Sequence, residues 1–558
     1  MSSFLPRCPF LVSAFAVAVA ASPRALPGQA PPVVDSIFAE MHSSTGPGCT
    51  IAFDSGGRRQ WIAAFGRADL ERGGMNDSTT IFEAGSVSKQ LTAAAIILLA
   101  RGGKLSLDDP LRRWIPEFPE LGPITVRMLL THQSGLRDWR NLSEMHRWNS
   151  DNAAYRNADV LALLRRQRSL NFEPGAEYSY SNSNYVLAAI VVERVTGESF
   201  RAFTTRAIFG PLGMRSTSWR DMAGEIVPGR ARAYSPDDAG RFTDNTPVET
   251  VVGPGGLMTT VPDLMAWLRN LDTEQVGGAG FREAMERVSV LRSGRSTQYA
   301  MGLEISTLGG ERLVSHAGWT GGYVAWAGRL PARGLALGIL CNGNAINTED
   351  LGPALLARLA RLPAPTADQA PDLGTAGANG GSASLAGLFR SQRNDQLVTV
   401  RAFARGVTLN AWNGYAAVGD GTYRSIDGTR TLNSSRDSTG RVNAFHVRHR
   451  NGDAVAYVRL DTTLSTAKEL PAYAGRYRSD ETDAEMQILV GTKTLIVERG
   501  GVLRDTLRAT FRDGFRAPSQ SWVLTFRRDP GGRVSGFDLG LPRSRRIRFE
   551  RMAGSGNR

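Results

Sequence analysis

The segment Ile81-Phe-Glu-Ala-Gly-Ser-Val-Ser-Lys-Gln-Leu-Thr-Ala-Ala-Ala-Ile-Ile-Leu-Leu-Ala100 constrains this chain more than any other. From Val87 it is an almost unbroken run of good helix formers, stopped by Gly102-Gly103, a fitting C-cap. A helix apolar on nearly every face belongs inside a domain. Yet its first turn carries Ser86, Ser88 and Lys89, polar groups that a core rejects unless they are paired or used. Ser86 and Lys89 lie one helical turn apart and so share a face. The helix N-terminus adds free N–H groups and positive partial charge, which favour an oxyanion and a neutral lysine. These features predict a serine made nucleophilic without histidine: lysine takes the proton, and the helix end helps hold the developing negative charge. Spacing alone decides little, because Ser465-Thr-Ala-Lys468 repeats it in a polar stretch with no buried helix behind it.

The first residues are not expected to belong to the fold. Arg7 precedes an apolar run, Phe10 to Ala21, with a small-residue cleavage site at Ala18-Val-Ala20 and a later one near Ala30. Residues 1–30 therefore read as a secretory signal, the run being too short to cross a bilayer. The mature chain is expected to be exported, periplasmic or extracellular, with no stable membrane span. Its 558 residues suffice for about two to four domains. Cys8 leaves with the signal, so Cys49 and Cys341 allow one disulfide at most. Both sit in strand-like segments, and a bridge and two buried thiols are both open. A net charge of +13 invites a nucleic-acid partner, but the arginines are spread out, with no basic run, zinc pattern or basic aromatic motif. Anionic cell-envelope polymers suit that charge at least as well.

Residues 33–363 read as one large unit. A helix-like segment opens it, followed by strands Cys49–Phe53 and Gln60–Gly66 around a Ser55-Gly-Gly turn, then the key helix. Periodic stretches at Val186–Val195 and Asp263–Leu271 predict further helices. Strands follow near Tyr299–Ile305, Leu313–His316, Tyr323–Arg329 and Leu335–Cys341. Strands at both ends with helices between predict an α+β fold whose sheet pairs N- and C-terminal segments. Two polar clusters stand out. Phe172-Glu-Pro-Gly-Ala-Glu-Tyr-Ser-Tyr-Ser-Asn-Ser-Asn-Tyr185 is a turn-rich loop before a helix, in which Tyr180 and Asn182 can present a phenol and an amide to one site. Taken alone, such residues more often cap the next helix. His316-Ala-Gly-Trp-Thr-Gly-Gly-Tyr323 lies at a strand edge, its glycines allowing a ligand close to the backbone.

In this order, Ser86-Val-Ser-Lys89, Tyr180-Ser-Asn182 and His316-Ala-Gly318 resemble the serine β-lactamase and penicillin-recognising enzyme family, in its class C, DD-carboxypeptidase and D-aminopeptidase branch. Leu129-Leu-Thr-His-Gln-Ser-Gly-Leu136, Phe172-Glu-Pro-Gly175 and Gly255-Gly-Leu-Met-Thr-Thr260 with Asp263 match it as well. The resemblance implies an antiparallel sheet with flanking helices beside a helical subdomain, the active site lying between them. Ser86 would be acylated, Lys89 and Tyr180 would share the proton transfers, and Asn182, His316 and Gly318 would contact substrate. The backbone N–H groups of Ser86 and Trp319 would form the oxyanion hole. Class C β-lactamases typically carry lysine where this chain has His316, so peptidase, amidase or esterase activity is implied ahead of β-lactam hydrolysis.

After residue 363 the texture changes. Residues 364–384 read as a flexible linker, and the rest as short strands and turns. Leu385-Ala-Gly-Leu-Phe-Arg-Ser391 aligns with Tyr473-Ala-Gly-Arg-Tyr-Arg-Ser479, an offset of 88 residues (473 − 385). Val407-Thr-Leu409 meets Leu495-Ile-Val497 at the same offset, and Gly440-Arg-Val442 corresponds to Gly532-Arg-Val534. Two copies of a β-barrel domain, 385–463 and 470–553, are the natural reading. The resemblance makes them lipocalin-like tails of D-aminopeptidase-like architecture. No cofactor is expected and no metal: the histidines are scattered, and His446-x-x-His449 lies in a strand, where positions three apart face opposite ways. The expected partner is a small molecule or peptide, cell-wall peptide included; nothing fixes the oligomeric state. The leading function is a serine hydrolase cleaving a D-amino-acid-containing peptide or amide. The alternatives are a carboxylesterase or weak β-lactamase of the same family, and a silent cell-wall-binding protein.

Overall fold

The computed structural model describes residues 30–39, 45–145, 154–362 and 380–553, apart from 394, 411–412, 420, 427–429, 450–453, 501–502 and 518–520. The predicted signal and most of the predicted linker lie outside the described residues. Helix α1 (Pro32–Ile37) opens the chain, followed by β1 (Cys49–Ser55) and β2 (Arg58–Phe65). Helix α2 (Ser88–Arg101) is buried along nearly its whole length, only Leu98, Ala100 and Arg101 reaching towards solvent. Its buried polar groups are paired: the Ser88 hydroxyl donates to Gly85 O at 2.5 Å and that of Thr92 to Gly253 O at 2.8 Å. The helix closes as Gly103 turns left-handed at φ 67°.

Helix α3 (Asn182–Thr196) packs on α2, and α4 (Val261–Thr273) packs on the sheet. Strands β3 (Glu304–Leu308), β4 (Glu311–Thr320), β5 (Tyr323–Leu330) and β6 (Leu335–Cys341) complete an antiparallel sheet of order β2-β1-β6-β5-β4-β3, with α5 (Thr348–Leu359) behind it. The sheet pairs the two ends of the unit, β1 running against β6 with Cys49 opposite Cys341. Those two cysteines form a disulfide, which decides between the two readings left open above. One predicted strand is shifted: Tyr299–Leu303 is irregular and β3 begins at Glu304. Gly302 (φ 72°) crosses the first turn of α2 so closely that a Cβ there would lie 2.6 Å from Lys89 O. That crossing, rather than strand pairing, sets the local backbone.

Two closed eight-stranded barrels follow, from Gly387–Ser391 to Ala454–Arg459 and from Gly475–Ser479 to Ser544–Arg551. The sequence repeat maps strand on strand. The first strands start at Gly387 and Gly475, and the aligned Val407–Leu409 and Leu495–Val497 lie in the third strand of each barrel. Gly440 (φ 80°) and Gly532 (φ 79°) make the same turn, each N–H donating to an aspartate carbonyl, Asp437 or Asp529. The end of the segment read as flexible linker is instead a short helix, Gly380–Leu385, because Leu385 is drawn into the core of the first barrel. The core of the second barrel is continuous with that of the helical layer, whereas the first barrel keeps its own.

Candidate active site

Ser86 lies on a 3-10 turn, Gly85–Val87, that leads directly into α2. Two glycines let β4 close over this turn. A Cβ on Gly85 would lie 2.6 Å from Trp319 N, and one on Gly318 would lie 2.1 Å from Ala84 O. Only bare backbone fits on both sides, so the main chain at Trp319 is held against that of Ser86. From the other side, Leu257–Thr259 pairs with Phe82–Glu83, and Ala84 N donates to Leu257 O at 2.8 Å. The predicted Gly255-Gly-Leu-Met motif thus pins the strand that delivers Ser86.

Lys89 is fully buried, with Nζ 3.0 Å from Ser86 Oγ, 2.9 Å from Asn182 Oδ1 and 3.0 Å from Pro254 O. Burial holds the amine well below the usual lysine range, Arg543 and Arg140 adding to the effect against the opposing pull of Asp138. A neutral amine has two N–H bonds and one lone pair. The two carbonyl oxygens can only accept, so they take both N–H bonds, and the lone pair is left for the Ser86 hydroxyl proton. Asn182 is itself fixed, its Nδ2 donating to Asp138 Oδ2 at 2.9 Å.

Tyr180 comes in on the loop just before α3. Lys89 Nζ lies 4.8 Å from its ring centre, and the Ser86 hydroxyl is its hydrogen-bond partner. Burial raises the Tyr180 phenol above the ordinary tyrosine value, the hydrogen bond with Ser86 opposing the shift, so the resting phenol keeps its proton. The Thr131-His-Gln-Ser motif builds this loop. His132 Nδ1 accepts from Ser181 N at 3.2 Å and lies 3.0 Å from Asn184 Nδ2, while its ring packs 4.3 Å from that of Tyr180. Gly135 lets the Phe172-Glu-Pro-Gly175 segment pass, a Cβ there standing 2.1 Å from Phe172 O.

His316 lines the same cleft, but both of its ring nitrogens are engaged by the protein. Nδ1 lies 2.6 Å from Ala317 O and Nε2 lies 3.0 Å from the Tyr299 hydroxyl. A carbonyl can only accept, so Nδ1 carries the proton and Nε2 accepts from Tyr299. Burial, reinforced by Lys89, pushes the imidazole down to about 3 and keeps it neutral. Both ring nitrogens being spent, His316 has none left for direct substrate contact, and its part is to hold Tyr299. The six predicted side chains Ser86, Lys89, Tyr180, Asn182, His316 and Trp319 and the Gly318 backbone therefore converge, while Ser465 of the second Ser-x-x-Lys bonds Tyr473 within the second barrel.

Sequence reasoning missed Asp138, Tyr299, Glu304 and Arg543. Arg543 is the least expected: it sits on the last hairpin of the second barrel, between Val534–Leu541 and Ser544–Arg551. Its guanidinium lies 5.0 Å from the Tyr180 ring centre and 3.6 Å from Asp138 Oδ2. The hairpin is bound to the catalytic unit through Asp138 N to Arg543 O (3.2 Å) and Arg543 N to Asn141 Oδ1 (2.9 Å). Beside it the buried Arg137 pairs with Glu481 at 2.8 Å. The resulting cleft has a volume of about 960 Å³. Among the described residues no group of acids, histidines or cysteines is arranged to hold a metal, and no helix is long and apolar enough to cross a membrane.

A buried Ser–Lys pair at the junction of a helical layer and an antiparallel sheet defines a serine hydrolase. Residues 34–362 match the Beta-lactamase family, and the chain belongs to it. Among curated relatives, a D-aminopeptidase of Brucella anthropi is 25% identical over 549 residues, spanning 91% of this chain and 96% of that protein. Among solved structures, the octameric penicillin-binding protein homologue from Pyrococcus abyssi shares the fold, with a TM-score of 0.54, 20% identity, and coverage of 85% of this chain and 99% of that one. The D-amino acid amidase from Ochrobactrum anthropi SV3 shares it over 59% of this chain and 100% of its own, with a TM-score of 0.50 and 23% identity.

Proposed function

We propose that this protein is an exported hydrolase that forms an acyl-enzyme on Ser86 and cleaves an amide bond of a D-amino-acid-containing peptide or amide. The observation that carries the reading is the Lys89 amine, buried, spent on two carbonyl acceptors and 3.0 Å from Ser86 Oγ. Lys89 takes the Ser86 proton as Oγ attacks the substrate carbonyl carbon. The oxyanion faces the backbone N–H groups of Ser86 and Trp319. Tyr180, a phenol that keeps its proton, passes it to the leaving nitrogen as the C–N bond breaks, and is reprotonated through Lys89. Water then attacks the ester, its proton passing to the same pair, and Ser86 is released with the product acid. The opposite displacements of Lys89 and Tyr180 support this division of base and acid. The relative named D-aminopeptidase, matched along nearly its whole length, supports the D-amino-acid substrate. The signal-like residues 1–30 and the Cys49–Cys341 bridge support export to an oxidising compartment.

The test is a panel of D- and L-alanine p-nitroanilide, a short p-nitrophenyl ester and benzylpenicillin. The expected result is a kcat/KM at least about tenfold higher for the D-anilide than for its L-isomer, some 1.4 kcal/mol of discrimination. Turnover of the ester alone would make the protein a carboxylesterase. A lasting penicillin adduct without anilide turnover would make it a penicillin-binding protein.

A further inference from the structure

The charged groups of the cleft are unevenly settled. On the barrel side, Arg543 leans on Asp138, and Arg140 pairs with Glu249. On the sheet side stand Glu304, the first residue of the edge strand β3, and Glu349, in the first turn of α5. Glu304 is opposite Ser315 in the β3–β4 register, next to His316, so its carboxylate borders the same cavity as Ser86. It is partly buried, and among the described residues it has neither a hydrogen bond nor an ion pair. The only charge that bears on it is a second carboxylate, Glu349; burial and that neighbour push the Glu304 carboxyl up to about 7. A carboxylate kept unpaired beside another at the wall of a reaction cleft is costly unless a cation arrives with the ligand.

We propose that Glu304, backed by Glu349, is the specificity residue that receives the protonated amine of the substrate. The inference rests on the amide-hydrolase reading above and narrows its substrate class to compounds with a free ammonium group near the scissile carbonyl. Arg543 and Arg140 lie on the other side of the cleft and orient such a substrate by repulsion, so the ammonium turns towards β3. A substrate whose amine is acylated offers Glu304 no charge, and one with a carboxylate at that end is repelled.

The experiment is a calorimetric titration at pH 7.5 of the full chain carrying Ser86→Ala, so that no turnover interferes. The ligands are D-phenylalaninamide and its N-acetyl derivative. The proposal expects the free amine to bind at least about tenfold more tightly than the acetylated ligand, with Glu304→Gln abolishing the preference and Glu349→Gln reducing it. Glu304→Asp, which retains the charge, should keep part of it and so separates charge from packing. Equal binding of the two ligands, or a preference untouched by Glu304→Gln, overturns the proposal. Fluorophosphonate labelling of Ser86 in chains with Glu304 native and as Gln reports separately on the hydrolase reading. Loss of labelling with Glu304 native would refute that reading while the binding preference still decides the role of Glu304.

Discussion

Lys89 acts as a base only while neutral, and everything around it bears on that state. Burial, Arg543 and Arg140 lower its pKa, and Asp138 resists them. The sign of the pH dependence follows. A lowered lysine pKa leaves the amine free at neutral pH, and kcat/KM falls as pH drops through that pKa and Lys89 is protonated. Removing a cation raises the pKa, so Arg543→Ala should move this acid limb to higher pH in a pH–kcat/KM profile. An unmoved limb would mean that the barrel arginine does not reach Lys89 electrostatically. His316, pushed down to about 3, should add no limb of its own near neutral pH. Lys89→Met should lower kcat by about 10²–10⁴-fold, the range of a lost general base, while His316→Gln acts through Tyr299 and should cost less.

At the scale of elements, the site exists because a 3-10 turn, a helix and an edge of the sheet meet without side chains between them. Gly318 is the tightest point, with no room for a Cβ against Ala84 O. Gly318→Ala should therefore push β4 off the Ser86 turn at a cost of about 1–3 kcal/mol. It should slow fluorophosphonate labelling by more than tenfold, measured with the melting temperature; an unchanged rate would contradict the fit. Much of this was legible in the sequence. The all-apolar face of Leu91–Leu99 identified a buried helix, and Ser86 and Lys89 in its first turn had no other excuse for polarity. The Gly-rich strand at His316–Gly322 marked close backbone approach. What escaped reading has a physical cause. Glu304 sits at the end of a strand that Gly302 displaces by a crossing over α2, and no local pattern reports such a crossing. His316 was read as a ligand group because sequence shows the ring but not Tyr299, which takes its free nitrogen.

At the scale of the molecule, the second barrel is part of the active-site wall. Its repeat with the first barrel could be read from matching strands and Asp–Gly turns, but Arg543 belongs to a hairpin far along the chain from Tyr180, a contact only tertiary structure creates. The interface is anchored by Arg137, whose side chain is 0% exposed and which pairs with Glu481. Glu481→Gln leaves that guanidinium buried without its counter-charge and should cost about 3–5 kcal/mol, read as a lower denaturation midpoint. No change in midpoint would show that the barrel docks without this pair.

The central claim is that Ser86 is an activated nucleophile. Intact-protein mass spectrometry after exposure to a fluorophosphonate, with peptide mapping, tests it most directly. The account predicts one adduct per chain, located on Ser86, absent in Ser86→Ala and formed far more slowly in Lys89→Met. An unlabelled native chain, or an adduct that survives Ser86→Ala, would contradict it.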